Sequence, residues 1–107
     1  MKKLDTKHAL AALTAVAQES RLAVFRLLVS SGPAGLAASK IADHLAIAPS
    51  SLSFHLKELA HADLVKQRQD GRFVIYSANF DTMNALIAFL TANCCAGNPC
   101  SPTLLTA

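Results

Sequence analysis

Between Ala48 and Val65 the chain reads APSSLSFHLKELAHADLV. No other stretch constrains the fold as much, because its polar and apolar positions separate onto opposite sides of a helix. At 100° per residue, with Leu52 at zero, Leu56 falls at roughly 40° and Leu59 at roughly 340°, a narrow seam suited to burial. Ser50, Phe54, Lys57 and His61 gather on the far side, flanked by Ser53 and Glu58. A helix that turns hydroxyls, an aromatic and a cation outward looks like a reading head. Pro49 and Ser50 suit its first turn, the proline through its fixed φ and the serine as a hydroxyl cap, and unpaired N–H groups there attract phosphate.

Helices and turns are expected on both sides of this stretch. Asp5 to about Gln18 fits a first helix, with Asp5 or Thr6 as cap and Leu10, Leu13, Val16 and Ala17 as apolar positions. Ser20 suits the cap of a second, RLAVFRLLVSS, which leaves only Arg21 and Arg26 for water. Gly32, Pro33 and Gly35 mark a loop, after which Ser39 can cap a short helix carrying Ile41, Ala42 and Leu45. With a tight turn at Ile47 and Ala48, the order becomes short helix, turn, outward-polar helix, which is helix-turn-helix spacing.

Beyond Leu64, the β-rich segments LVKQRQ and RFVIYS flank Asp70 and Gly71, a pair that favours a type I′ turn. Two strands alone are marginal in water, so the hairpin should pack on the helices and project its tip as a wing. A final helix is expected from Asn79 or Asp81 to about Asn93, with Met83, Leu86, Ile87 and Leu90 as a stripe widened by Ala85 and Phe89. No charge follows Asp81. A surface helix without charges is expected to bury its stripe against a second copy of the chain, helped by the first helix. The expected architecture is therefore mainly α with a two-stranded β-hairpin wing, a homodimeric winged helix-turn-helix. Residues 1–93 form the folded domain and residues 94–107 a flexible tail that carries the cysteines.

A chain of 107 residues makes one domain with a modest core. With 52% hydrophobic and 16% charged residues it is too apolar for disorder, yet no apolar run approaches the roughly 20 residues that span a bilayer. The start, MKKLDTKHAL, has no apolar stretch and no cleavage site of the secretory type, so a cytoplasmic protein without membrane contact is expected. A net charge of +3 permits an anionic partner, and Lys57, Lys66, Arg68 and Arg72 concentrate the positive field in one stretch. Cys94, Cys95 and Cys100 lie together near the end. In a reducing compartment that cluster reads as metal or redox chemistry before it reads as a disulfide framework. His8, His44 and His61 have no cysteine or second histidine three or four places away and read as surface residues.

The order of elements, together with ESRLAVFRLL, SSLSFHLKELAHADLV and QDGRFVIYS, resembles the ArsR/SmtB family of winged-helix metal-sensing repressors over about residues 7 to 93. The resemblance implies a homodimer that binds double-stranded operator DNA and releases it when a soft metal or metalloid binds. On that reading Ser50, Ser51, Ser53, Phe54, His55 and Lys57 of the recognition helix touch DNA, and Arg68 and Arg72 of the wing touch phosphate or minor groove. A solvated helix face, or a Phe54 packed under the wing, would be the plainer account of the same residues. His55, on the boundary of the seam, is the least certain of the contacts.

Two ligand sets found in such families are missing. Leu36, Ala37 and Ala38 stand where a Cys-x-Cys pair would be, and the last helix offers Asp81 but no histidine. The tail resembles the three-cysteine arsenic and antimony sites of some members, which makes Cys94, Cys95 and Cys100 the metal ligands and arsenite, As(III), or antimonite, Sb(III), the effector. Trivalent arsenic and antimony accept three thiolates, whereas zinc would want a fourth ligand. No resident cofactor is implied and no catalysis is expected. A thiol redox sensor, a small metalloid reductase or a protein-binding module are the alternatives; the reductase is disfavoured because the uncharged tail holds nothing to lower a thiol pKa.

Overall fold

The computed structural model describes residues 3–97. Its elements in chain order are α1 (Thr6–Val16), α2 (Glu19–Ser31), β1 (Leu36–Ala37), α3 (Ala38–Leu45), α4 (Pro49–His61), β2 (Val65–Asp70), β3 (Phe73–Ala78) and α5 (Phe80–Thr91), followed by a 3-10 turn at Cys94–Gly97. This is a winged helix-turn-helix, mainly helical, with a small antiparallel sheet. Among the described residues no helix is long and apolar enough to cross a membrane.

The core lies where α2, α3 and α4 meet the base of the wing. Leu28, Ile41, Leu52, Leu59 and Leu64 are fully buried there, with Val24 among them. Each such side chain contributes about 1.5–3 kcal/mol through removal from water. The expected seam of α4, Leu52, Leu56 and Leu59, is the buried one.

Helix α1 differs from expectation. Its buried positions are Ala9, Ala12 and Ala15, while Leu10 stands 57% exposed. Small side chains let α1 lie close against its neighbours, and the larger leucine is left outside. Helix α2 is also less enclosed than its apolar sequence suggests, with only Val24 and Leu28 buried and Leu22 exposed.

Several caps are made otherwise than expected. Gln18, not Ser20, caps α2, its Oε1 accepting from Arg21 N at 2.9 Å. Neither Ser39 nor Ser50 is a cap: α3 and α4 start after Ala37 and Ala48 with no side-chain hydrogen bond, and Pro49 opens α4. Both helices end in a tight closure, Ile47 N donating to Ala42 O at 3.1 Å and Leu64 N to Leu59 O at 3.0 Å. Ala46 and Asp63 take the left-handed conformation those closures require.

The wing is a three-stranded sheet in the order β1-β3-β2, not a lone hairpin. Leu36 pairs with Tyr76 and Ala37 with Ile75, so the segment before α3 forms an edge strand. Gly35 makes this approach possible: its φ is +68°, and a Cβ there would sit 2.2 Å from the Tyr76 carbonyl oxygen. At the tip Asp70 pairs with Phe73, which leaves Gly71 and Arg72 as the two loop residues. Of these only Gly71 has positive φ, at 62°. That is the II′ pattern of signs, one residue along from the expected I′ turn at Asp70 and Gly71.

Candidate nucleic-acid interface and cysteine site

Helix α4 presents its outer face as the sequence indicates. Ser50, Ser51, Ser53 and Lys57 are exposed, and Phe54 is 56% exposed, so it does not pack beneath the wing. Its ring meets His55 edge-on, with centroids 6.0 Å apart. Because no side chain caps α4 and Pro49 brings no N–H, the first-turn amides of Ser50 and Ser51 are left uncapped and suit a phosphate oxygen.

His55 lies partly in the fold. It is half-buried, and its Nδ1 is buried with no hydrogen-bond partner among the described residues. Its half-burial is that of a residue on the boundary between the seam and the outer face.

The wing brings further cations to the same region. A cleft of about 320 Å³ separates α4 from β2 and is lined by Ser53, Lys57, Lys66, Gln67 and Tyr76. Gln67 and Tyr76 were not expected here; they are cross-strand partners in the register of β2 and β3, and period-two alternation alone would have placed them on one face. Arg68 Nη2 donates to the Ala34 carbonyl at 2.9 Å, which fixes this guanidinium across the sheet. Arg72, in the tip loop, is exposed. The hydroxyls and amides of α4 together with Lys57, Lys66, Arg68 and Arg72 can hold a polyanion.

The cysteines stand elsewhere, just beyond α5. Cys94 Sγ and Cys95 Sγ are 3.1 Å apart and exposed. Cys100 lies outside the described residues. Two sulfurs at that separation can share one thiophilic ion, but among the described residues no group of three metal-ligating side chains forms. Positive φ at Asn93, Cys95 and Ala96 breaks the helical path and folds the pair into a compact turn.

Between these two regions runs a hydrogen-bonded junction that sequence reasoning missed. Asp63, which ends the turn after α4, accepts from Asn79 Nδ2 and Thr82 Oγ1, both at 3.2 Å. Asn79 in turn caps α5 and donates its backbone N–H to Leu64 O at 2.8 Å. A polar pair only three residues apart, both buried, was the available signal.

The apolar stripe of α5 remains open in one chain. Thr82 and Ala85 are buried, whereas Ile87 and Leu90 are 52% and 59% exposed and Phe89 is exposed as well. With Leu10 of α1 they leave an apolar surface on the two helices.

The family model of a helix-turn-helix domain matches residues 16–68. Among proteins with curated descriptions, none matches the chain in sequence. Solved structures do. One described as a possible transcriptional regulator for arsenical resistance is 30% identical, covering 76% of this chain and 81% of that one, with a TM-score of 0.65. An ArsR-like transcriptional regulator from Rhodococcus sp. RHA1 is 25% identical over 78% of this chain and 76% of that one, with a TM-score of 0.70. Reduced HlyU from Vibrio cholerae N16961 is 27% identical, covers 84% and 92% and gives 0.64.

Proposed function

Because the chain belongs to the ArsR family of winged helix-turn-helix transcriptional regulators, we propose that it is a repressor that binds operator DNA as a homodimer and releases it when trivalent arsenic or antimony binds Cys94, Cys95 and Cys100. The observation that carries this reading is the pair of sulfurs 3.1 Å apart directly after α5, the helix whose open apolar face suits the dimer contact. The arsenical-resistance description of the 30% identical relative supports the choice of ion. Ser50, Ser51, Ser53, Phe54 and Lys57 read the major groove, and Arg68 and Arg72 hold the wing on the backbone. His55 backs the helix. The protein acts in the cytoplasm and catalyses nothing.

Release requires that the metalloid bind the DNA-free dimer more tightly than the DNA-bound one. Couplings of about 1–3 kcal/mol would change operator affinity roughly 5 to 150-fold. Closing a three-sulfur site pulls on the end of α5 and so alters the separation of the two reading helices.

Fluorescence anisotropy on an operator selected from random duplexes tests this. Under reducing conditions arsenite is expected to weaken binding by at least fivefold in the wild type. Replacing Cys94, Cys95 and Cys100 by serine should abolish the response while leaving metalloid-free affinity unchanged. Retention of the arsenite response in that variant would overturn the site assignment.

A thiol switch is the second reading, favoured by the two exposed sulfurs 3.1 Å apart and by the existence of a relative described in its reduced form. Two thiols would pass two electrons and two protons to a peroxide. Release by peroxide but not by arsenite under matched conditions would select it.

A further inference from the structure

The wing holds a large apolar side chain in an unusual setting. Phe73 is 59% exposed and pairs with Asp70 at the tip. Side chains of paired residues share a face and alternate along a strand, so Phe73 and Ile75 lie on the same outer face as Lys66, Arg68 and Asp70. On that face Ile75 is roofed by Arg68, whose guanidinium crosses the middle strand to the Ala34 carbonyl. Phe73, two residues nearer the tip, keeps its exposure.

The tip that presents it is fixed. Gly71 supplies the turn, and Gln69 Nε2 donates to the Gly71 carbonyl at 2.9 Å. Phe73 therefore stands beside Arg72 on a defined loop, with Val74 also exposed behind it. The open apolar residues Leu10, Ile87 and Leu90 belong to α1 and α5, not to the wing.

Chemistry limits what can cover such a residue. Arg72 precedes it in the tip loop and Arg68 stands two residues toward the base on the paired strand, against the single acid Asp70. A neutral apolar partner would strip water from those cations and give nothing back. The minor groove answers both needs, with phosphates on its rims for the cations and sugar edges and base steps on its floor for an aromatic ring. We infer that Phe73 is a DNA-contacting residue, packed against the minor groove beside a phosphate held by Arg72, and that it adds affinity without adding charge. This rests on the DNA-binding reading above.

Charge-free affinity has its own signature. Operator binding is measured by anisotropy between about 50 and 200 mM salt for the wild type, Phe73→Ala, Phe73→Leu and Arg72→Ala. Phe73→Ala is expected to weaken binding about tenfold at every salt concentration with the slope of log K against log salt unchanged, Phe73→Leu by less. Arg72→Ala should make the slope shallower by about 1. Circular dichroism melts of the Phe73 variants should match the wild type, since the ring contributes little to the core. A Phe73→Ala affinity within twofold of wild type overturns the inference, as does a change in sedimentation showing that a second copy covers the ring. A wild type that shows no salt-dependent DNA binding would instead overturn the DNA reading itself.

Discussion

The Thr82 hydroxyl donates to the Asp63 carboxylate across 3.2 Å, so the residue that ends the turn after the reading helix is held by the first turn of α5. Thr82 is buried, and an unpaired polar group in that setting is costly. Thr82→Val keeps the shape and removes the donor, leaving one carboxylate oxygen with a partner fewer. Because Asp63 is exposed and water can replace the lost donor, urea unfolding is expected to show a loss of about 0.5–1.5 kcal/mol. A change below about 0.5 kcal/mol would mean that the junction does not hold α5 in place.

Gly35 and Gly32 both have positive φ, at 68° and 74°, but their surroundings differ. A methyl at Gly32 meets nothing within 4 Å, whereas at Gly35 it would collide with the Tyr76 backbone. Gly32 combines φ 74° with ψ −170°, a region essentially reserved to glycine, so Gly32→Ala should cost about 1–3 kcal/mol from backbone strain alone. Gly35→Ala should cost at least about 1–3 kcal/mol more, because β1 must leave β3 or strain against it. Equal losses in thermal or urea unfolding would contradict the role given to Gly35.

Asp5 caps α1, and donation from the His8 backbone N–H, then from the His8 ring, holds its carboxyl below the ordinary 3.8. A carboxyl lowered by folding favours the folded state above its unfolded value, and that contribution disappears as the pH falls through the lower folded value. Asn also caps helices but does not titrate. The melting-temperature advantage of wild type over Asp5→Asn should therefore shrink as the pH falls below the ordinary carboxylate range. A constant difference over that fall in pH would rule out the titration of Asp5 as its source.

If α1 and α5 form the dimer contact, Leu90 is a point at which to break it without unfolding the chain. Leu90→Glu buries an unpaired charge only in the dimer, because the side chain is 59% exposed in one chain. The dimer dissociation constant in sedimentation equilibrium is expected to rise at least about 100-fold, equivalent to about 2.7 kcal/mol. Circular dichroism should remain that of a folded helical protein.

His55 and Lys57 separate packing from contact on a single helix. His55→Leu removes a buried Nδ1 that has no partner among the described residues and is expected to raise stability by about 1 kcal/mol, with little effect on operator affinity. Lys57→Ala should leave stability alone and make the salt slope shallower by about 1. The reverse pattern would show that His55 reads DNA.

Much of this was available in the residues alone, and the exceptions share a cause. The seam Leu52, Leu56 and Leu59 is periodic and local, so the sequence shows it directly. The hairpin was announced by its turn residues, although pairing shifted the loop by one place to Gly71 and Arg72. Strand β1 could not be foreseen, because two residues have no periodicity and the strand exists only through its partner β3. Neither could the exchange of Leu10 for Ala9, Ala12 and Ala15 on α1, since which side of a helix is buried depends on how closely its neighbours approach. At the cysteines the sequence shows proximity along the chain; the 3.1 Å between two sulfurs follows from backbone reversals at Asn93, Cys95 and Ala96 that the sequence only hints at.

Strand β1 enters α3 directly and pairs with β3, while β2 follows α4 after a short turn. The helix-turn-helix is thus a loop of chain whose two ends are stitched into one sheet, with Arg68 pinning the outer strand to the segment before β1. Such a stitched unit moves as a single jaw, its tooth and its wing keeping a constant gauge. If the chain pairs through α5 as proposed, a signal arriving there would tilt or translate that jaw against its twin and leave the gauge within it unchanged. Inducer and operator would then compete over the distance between two half-sites, and the base preferences within each half-site should be the same before and after the effector binds.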